Sequence, residues 1–515
     1  MKLRKALLTL GFASVILTAS CSSGEPLEMT LTFNQTPNDA VKVVEMIDAI
    51  TTVDFSTENA IEDAYLEYCK LDDSLKNQVT NYEKLQEYRA AVTKLYYTEA
   101  KQGPRMDRSK VNIGTYCFNS QCWTDEGVQA LVDCGIDFLS NASYNNTLLD
   151  LLEKYNVGAF ASGVVPYWGC GGIDNGLVGM MSVYNPISAY ESAAAAYVDR
   201  ECIWGIDLGD EPWVADFPYY GEVIDYLLEA FPEQVMYLNL LPTFNDKNGN
   251  SNALETYVEH INTDYICYDN YPYTNESGKR PDNPRRFAGW LTNIQHASTI
   301  CRESDKDLWI VIQANVEGDT PLKEENMRMQ SSASLAYGAR TISWGCWNAG
   351  WFNHNVADSQ GNLTGTYYKL QTVNKEIQIL SPVYSKYANI DAGYIGIDPN
   401  SFQGWVSLEL PRLKELDISE VNGCPVTNIE TSESSQLIVG CFEKIQGEGY
   451  AMMFVNMTDM NCDSNPVSNV YFTVENPEAR VIAYYNGVAY EPEYLGNGQY
   501  KLEAGNSDNV FVTIG

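Results

Sequence analysis

The sequence predicts an α/β protein: a (β/α)8 TIM barrel between an N-terminal helical bundle and a C-terminal β-sandwich. Three observations carry this reading. Between residues 108 and 387, eight apolar, β-rich runs alternate with helical patterns over roughly 275 residues, the count and length of such a barrel. After residue 388 the helical period disappears, and short alternating runs separated by Gly, Asn, Asp and Pro take over. Before residue 100 the pattern is helical. A chain of 515 residues with 45 % apolar side chains can build a large core, which excludes both wholesale disorder and a single short binding module.

The chain opens with Lys2, Arg4 and Lys5, then an apolar run from Ala6 to Leu17 that ends in Leu-Thr-Ala-Ser-Cys at 17–21. A run of about 12 residues is too short to cross a bilayer and suits the core of a signal peptide. The segment resembles a bacterial lipoprotein signal, in which a Cys after small residues is acylated and becomes the new N-terminus. That resemblance makes residues 1–21 the signal and Cys21 the lipidation site. It places the protein on the extracellular face of a bacterial membrane, tethered through Ser22, Ser23 and Gly24. Thr18 stands where Leu is more usual. No later apolar run is long enough to span a bilayer, so the membrane is touched only through the anchor at Cys21.

Residues 37–100 are expected to form the bundle. Val41, Val44 and Ile47 mark one helical face. Ile61, Ala64, Tyr65 and Tyr68 mark a second, entered through Ser56, and Leu85, Tyr88, Val92 and Leu95 mark a third. The stretch Val-Thr-Asn-Tyr-Glu-Lys-Leu-Gln at 79–86 resembles a helical spacer module of gut Firmicutes surface proteins, which implies a spacer or docking role. Gly103 and Pro104 close the segment.

The barrel strands are expected at 111–117, 136–141, 157–165, 202–208, 235–241, 264–269, 308–314 and 341–347. Helices are expected at 124–133, 147–155, 187–199, 219–231, 284–302 and 323–338, with a last one near 367–380. A doubly wound sheet would more often carry a Gly-rich phosphate turn after its first strand, and Ile-Gly-Thr-Tyr-Cys-Phe-Asn-Ser-Gln-Cys is not one. Residues 388–515 form the sandwich.

Charge and composition narrow the function. Asp and Glu total 68 against 33 Lys and Arg, a net charge of −35 that repels nucleic acid and suits neutral ligands. The 35 Tyr and 10 Trp fit stacking on the apolar faces of sugars. Only three His occur, and no Cys/His cluster has zinc spacing. The segment 246–255 has its Gly at the fourth place of an EF-hand-like run rather than the sixth. No metal and no cofactor is therefore expected. Cys134, Cys202, Cys267 and Cys346 are read as small buried apolar residues.

Barrels carry their chemistry at the C-terminal strand ends. Strand four ends Gly-Ile-Asp-Leu-Gly-Asp-Glu-Pro-Trp at 205–213, crowding Asp207, Asp210 and Glu211 into five residues. Like charges that close raise one another's pKa, and a carboxyl still protonated near neutral pH is what a general acid needs. Other strand ends supply Tyr167 and Trp168, Asn239, Tyr271, Gln313 and Asn315, and Trp347.

The Asp-Glu-Pro closing strand four resembles the Asn-Glu-Pro of clan A glycoside hydrolases. With the helix-eight segment from Gly361 to Leu380 and the sandwich tail, about 400 residues are similar to the β-galactosidase-like members of that clan. The resemblance implies that Glu211 is the general acid/base. It puts Asp210 where the clan has an Asn that contacts the sugar 2-hydroxyl; an Asp accepts that bond but has no amide proton to donate. It also implies that Trp347 is the platform under the sugar. The clan's nucleophilic Glu would fall near Gln313, which cannot attack a sugar. The second carboxylate is then Asp269, preferred because it lies on a strand end, or Glu317 from the following loop. The implied activity is two-carboxylate hydrolysis of an extracellular oligo- or polysaccharide. A non-catalytic glycan-binding lipoprotein that kept the barrel is the alternative, and a purely structural surface protein a third.

Overall fold

The structure, a computed structural model, describes residues 35–97, 102–163, 187–212, 214–242, 252–273, 284–316, 320–350, 353–398 and 412–515. The chain divides into two compact units, residues up to Tyr88 and residues from Arg89 onward. In the first lie α1 (Pro37–Ala49), α2 (Glu58–Cys69), the single turn α3 (Asp73–Lys76) and the start of α4 (Tyr82–Lys94). The α1 stripe differs from expectation. Ala40, Val43 and Ile47 are buried, whereas Val41 is 52 % exposed. Spacing of i, i+3, i+7 keeps one helical face, which 41, 44, 47 leaves; Ala40, small but apolar, starts the true stripe. Helix α2 is preceded by Thr57 rather than Ser56.

The second unit holds eight parallel strands: β1 (Asn112–Thr115), β2 (Phe138–Ser143), β3 (Gly158–Ser162), β4 (Ile203–Asp210), β5 (Val235–Asn239), β6 (Tyr265–Asp269), β7 (Asp307–Gln313) and β8 (Ala339–Gly345). Each is followed by a helix: α5 (Asp125–Asp133), α6 (Asn146–Tyr155), α7 (Ile187–Ala194), α8 (Phe217–Ala230), α9 (Ala253–His260), α10 (Pro284–Glu303), α11 (Glu324–Ala336) and α12 (Gly365–Tyr384). The strand order β5-β4-β3-β2-β1-β8-β7-β6 makes this a (β/α)8 barrel. Helix α9 was not anticipated, since the segment at 246–255 is expected as a turn; Ala253–Glu255 begin the helix.

The seam between β5 and β6 is closed by little backbone pairing. Leu240 and Tyr268 form one bridge, with the Leu240 N–H donating to Cys267 O at 2.9 Å. Lower down, a side chain replaces the ladder. The Tyr265 hydroxyl accepts from the Leu238 N–H (2.9 Å) and donates to the Met236 carbonyl (2.7 Å). Tyr265→Phe strands two buried backbone groups and is expected to cost about 2–4 kcal/mol, read from the urea midpoint. A change within a few tenths of a kcal/mol would contradict this account of the seam.

Rings fill the lower barrel. Tyr265 stacks on Trp309 with centroids 3.9 Å apart, and Phe160 lies 4.7 Å from Tyr237. Beneath them the Arg108 guanidinium sits 4.8 Å from the Trp309 ring and pairs with Asp264 (3.2 Å) and Asp307 (3.1 Å). Above this plug, at the C-terminal strand ends, the rings give way to Asp207 and Asp210 on β4, Glu211 just after it and Asp269 on β6.

The C-terminal part is two antiparallel sheets. One has order β10-β13-β17-β16: β10 (Val426–Thr431), β13 (Ser468–Val474), β17 (Gln499–Ala504) and β16 (Glu493–Gly496). The other has order β15-β14-β18-β12-β11-β9: β15 (Val488–Tyr490), β14 (Val481–Tyr485), β18 (Asn509–Ile514), β12 (Tyr450–Asn456), β11 (Gln436–Lys444) and β9 (Tyr387–Gly396). Inward alternation places Val439, Phe454 and Val512 of one sheet in a common core with Val470, Phe472 and Leu502 of the other. Among the eleven described cysteines no disulfide is formed. Among the described residues, no helix is long and apolar enough to cross a membrane, and no group of three or more His, Cys, Asp or Glu could hold a metal ion.

Candidate active site

The site is made by an irregularity in β4. Asp207 pairs with Tyr237 and Asp210 with Asn239, so three steps on β4 face two on β5. The extra residue is a β-bulge, which lets both acids share the inner face. Gly209 makes it feasible. Its φ is 144°, and a Cβ there would meet the Tyr220 hydroxyl at 3.0 Å. Glu211 follows with φ 52°, a left-handed conformation uncommon for a side-chain-bearing residue, while its N–H donates to Asn239 O at 2.8 Å. Strain of this kind, of order 1 kcal/mol, gathers at functional sites.

Asn239 ties the cluster together. Its amide nitrogen donates to Asp210 Oδ1 at 2.7 Å and to Asp269 Oδ1 at 2.9 Å. Two oxygens on one nitrogen are separated by no more than the sum of those bonds, so the Asp210 and Asp269 carboxyls are held close. The amide's orientation is set from below. The Cys267 thiol donates to Asn239 Oδ1 at 3.7 Å, and the Tyr237 hydroxyl, itself hydrogen-bonded to Tyr116, lies 3.4 Å from Cys267 Sγ. With its oxygen occupied by the thiol, the amide turns its nitrogen toward the acids.

The electrostatics follow from crowding among the acids. Burial, then the Asp210 charge, pushes the Asp207 carboxyl up to about 8. Burial raises Asp210 to about 6, against the lowering effect of the Asn239 amide and with a further push from Glu211. Asp269, 5 % exposed, is held well above the carboxylate range by burial, then by the charge on Glu211, then by that on Asp210. Asp207 and Asp210 are only half-buried, so desolvation acts on them less completely than on Asp269. Glu211 is thus the charge that weighs most on Asp269, which places the two acids side by side. Tyr271 is half-buried beside them, its phenol raised by burial and then by Asp269, Cys346, Asp210 and Glu211.

Of the residues singled out from sequence, the structure brings Asp210, Glu211, Asn239, Asp269 and Tyr271 together. Asn239 holds the acids in place with the amide expected to meet substrate. Gln313 and Asn315 face inward, both 0 % exposed. Gln313 accepts from the Tyr273 N–H (2.7 Å), and Gln330 of α11 pairs with its backbone (3.0 and 3.1 Å). Asn315 clamps both backbone groups of Cys346 (3.0 and 3.3 Å). Their amides are committed to backbone. Trp347 is also inside the wall, 1 % exposed, with edge contacts to Phe118 and Tyr367. Trp168 and Glu317 lie outside the described residues. Tyr116, Tyr237 and Cys267 were missed as site residues. Tyr237 and Cys267 stand two residues before Asn239 and Asp269, the spacing that shares a strand face.

The fold and the acid cluster define the class: a (β/α)8 barrel with a β-sandwich and a carboxylate-lined mouth. No family model and no curated protein matches the chain. Among solved structures, it is similar to a family 30 subfamily 8 glycoside hydrolase xylanase from Clostridium acetobutylicum, at 12 % identity over 79 % of this chain and 96 % of that one, TM-score 0.40. A family 30 endoxylanase from Clostridium papyrosolvens C71 is 14 % identical over 78 % and 96 %, TM-score 0.41. An endo-β-1,4-mannanase from Thermotoga petrophila is 10 % identical over 79 % and 92 %, TM-score 0.39. A shared barrel does not carry shared chemistry, so the chemistry rests on this chain's own side chains.

Proposed function

We propose that this protein is a glycoside hydrolase acting on an extracellular glycan by two-carboxylate acid/base catalysis. The observation that carries the reading is the Asn239 clamp: it holds Asp210 and Asp269 together at the barrel mouth, next to Glu211 on its strained turn. Glu211 gives its proton to the departing glycosidic oxygen. Asp269 then attacks the anomeric carbon or activates a water, with Glu317 as the other candidate for that role. In the ligand-free protein burial, then the charge on Glu211, holds the Asp269 carboxyl well above the usual carboxylate range. To attack the anomeric carbon or to activate a water, Asp269 must first give up its proton. Asp210 accepts a sugar hydroxyl, and the ring of Tyr271 packs on the sugar, as would Trp168. No cofactor enters the reaction.

A screen on aryl glycosides and on plant and mucin polysaccharides, beside Glu211→Gln, tests the proposal. Turnover by the wild type that the variant lacks supports it; equal turnover by both removes Glu211 from the mechanism. One observation favours a second reading. The β7 end carries Gln313 with its amide engaged by backbone, not a carboxylate. Glycan binding with no turnover on any substrate would make the protein a surface glycan receptor.

Localisation is part of the same proposal. Acylation at Cys21 would fix the chain to the outer face of the membrane. In a lipoprotein-processing host, Cys21→Ala is expected to abolish metabolic labelling by a fatty acid and to release the protein from the membrane fraction. Labelling and fractionation like the wild type would exclude the anchor.

A further inference from the structure

Two cysteines that the proposed chemistry does not use meet at the rim of the barrel. Strands β1 and β8 are neighbours in the register Thr115↔Trp344, and their pairing continues past both strand ends. The Tyr116 N–H donates to Trp344 O (3.0 Å), the Trp347 N–H to Tyr116 O (2.8 Å) and the Asn348 N–H to Cys117 O (3.3 Å). That continuation sets residue 117 beside residue 346. Neighbouring strands run about 4.8 Å apart, inside the Cα separation of about 4.4–6.8 Å that a disulfide accepts.

The side chains use this proximity. A Cβ added at Gly350 would lie 2.6 Å from Cys346 Sγ and 3.7 Å from Cys117 Sγ, so both sulfurs border one small gap. The two thiols are hydrogen-bonded, and that bond holds the Cys117 thiol below its ordinary range against the opposing effects of burial and of Asp210. Cys117 is half-buried, open to a small reagent, whereas Cys346 is buried with its backbone clamped by Asn315.

We infer that Cys117 and Cys346 are a dithiol–disulfide pair, a redox modification site across the β1–β8 rim. The oxidant is a low-molecular-weight disulfide. The Cys117 thiolate attacks one of its sulfurs and expels a thiolate, leaving Cys117 as a mixed disulfide. Cys346 then attacks the Cys117 sulfur, and its proton passes to the second thiolate expelled. The balance is two protein thiols oxidised to one disulfide and one external disulfide reduced to two thiols. Cys117 is the attacking residue because it combines access with a thiol held below its ordinary range. The pair sits within electrostatic reach of Asp210 and Tyr271, so its oxidation removes two ionisable groups from the edge of the acid cluster.

The test uses the full-length reduced protein, titrated with oxidised glutathione, alkylated and mapped by mass spectrometry. The expected result is a 117–346 linked peptide that forms before any other cross-link, with two thiols lost per molecule and recovered on adding dithiothreitol. Cys117→Ser and Cys346→Ser each abolish that peptide, and thermal melts show whether these variants fold. Gly350→Ala, whose methyl intrudes on the Cys346 sulfur and touches that of Cys117, slows its appearance several-fold. The inference is overturned if Cys117 stops at the mixed disulfide with glutathione, or if the linkage appears only in denatured protein or no earlier than other pairs. Peptide mass and thiol count need no turnover, so the outcome is independent of the glycosidase reading.

Discussion

Glu211→Gln is expected to lower kcat on an unactivated glycan by about 100- to 10,000-fold, the range lost when a positioned general acid is removed. The change keeps size, the N–H bond to Asn239 O and the left-handed backbone, so the melting temperature should hardly move. The loss should depend on the leaving group. A dinitrophenolate departs with little protonation, so on that aryl glycoside the deficit in the bond-breaking step shrinks. On a polysaccharide, where the departing alkoxide needs the proton, it stays large. A second effect follows from charge. Glu211 is the neighbouring charge that weighs most on Asp269 and also pushes Asp210 up; an uncharged amide lets both carboxyls ionise at lower pH, and the acidic limb of any residual activity moves down. A deficit equal on all leaving groups, with an unmoved acidic limb, would show that Glu211 does not donate the proton.

The barrel was legible because its strands and helices follow two simple periods, and the sandwich because its strands are short and well punctuated. What failed to show was whatever depends on register. The clamp by Asn239 exists because β4 carries one extra residue relative to β5; Gly209 hints at a bulge, but no pattern in Asp-Leu-Gly-Asp says which acids end up on the inner face. Strand-end residues were legible as strand-end residues only. Whether an amide such as Gln313 faces the opening or the backbone beside it is decided by the Tyr273 N–H, 40 residues back in the chain, and by the Asn315 carbonyl. Trp347 shares that ambiguity, since a large ring after β8 serves equally as platform or wall. The contact between Cys117 and Cys346 was out of reach for the same reason, because first and last strands become neighbours only when the barrel closes.

Asp207 makes the acid cluster a stability device as well as a chemical one, and Asp207→Asn isolates it. Its carboxyl is raised from an ordinary value of 3.8 to about 8, by burial and by Asp210. Between those values the folded protein holds a proton that the unfolded chain releases, so the folded state loses relative stability as pH rises from about 4 to about 8. Below that window both states are protonated and the residue has no effect; above it the full cost of a half-buried charge is present. Asparagine has the same shape, still accepts from the Gly209 N–H and cannot ionise. The variant should therefore match the wild type near pH 4 and exceed it at pH 8.5 by about 2 kcal/mol, a figure that allows for solvent reaching the half-buried carboxyl. Melting temperatures across that range measure the difference directly. Parallel curves would mean that Asp207 is ionised throughout. In that case its negative charge would join that of Asp210 beneath the mouth.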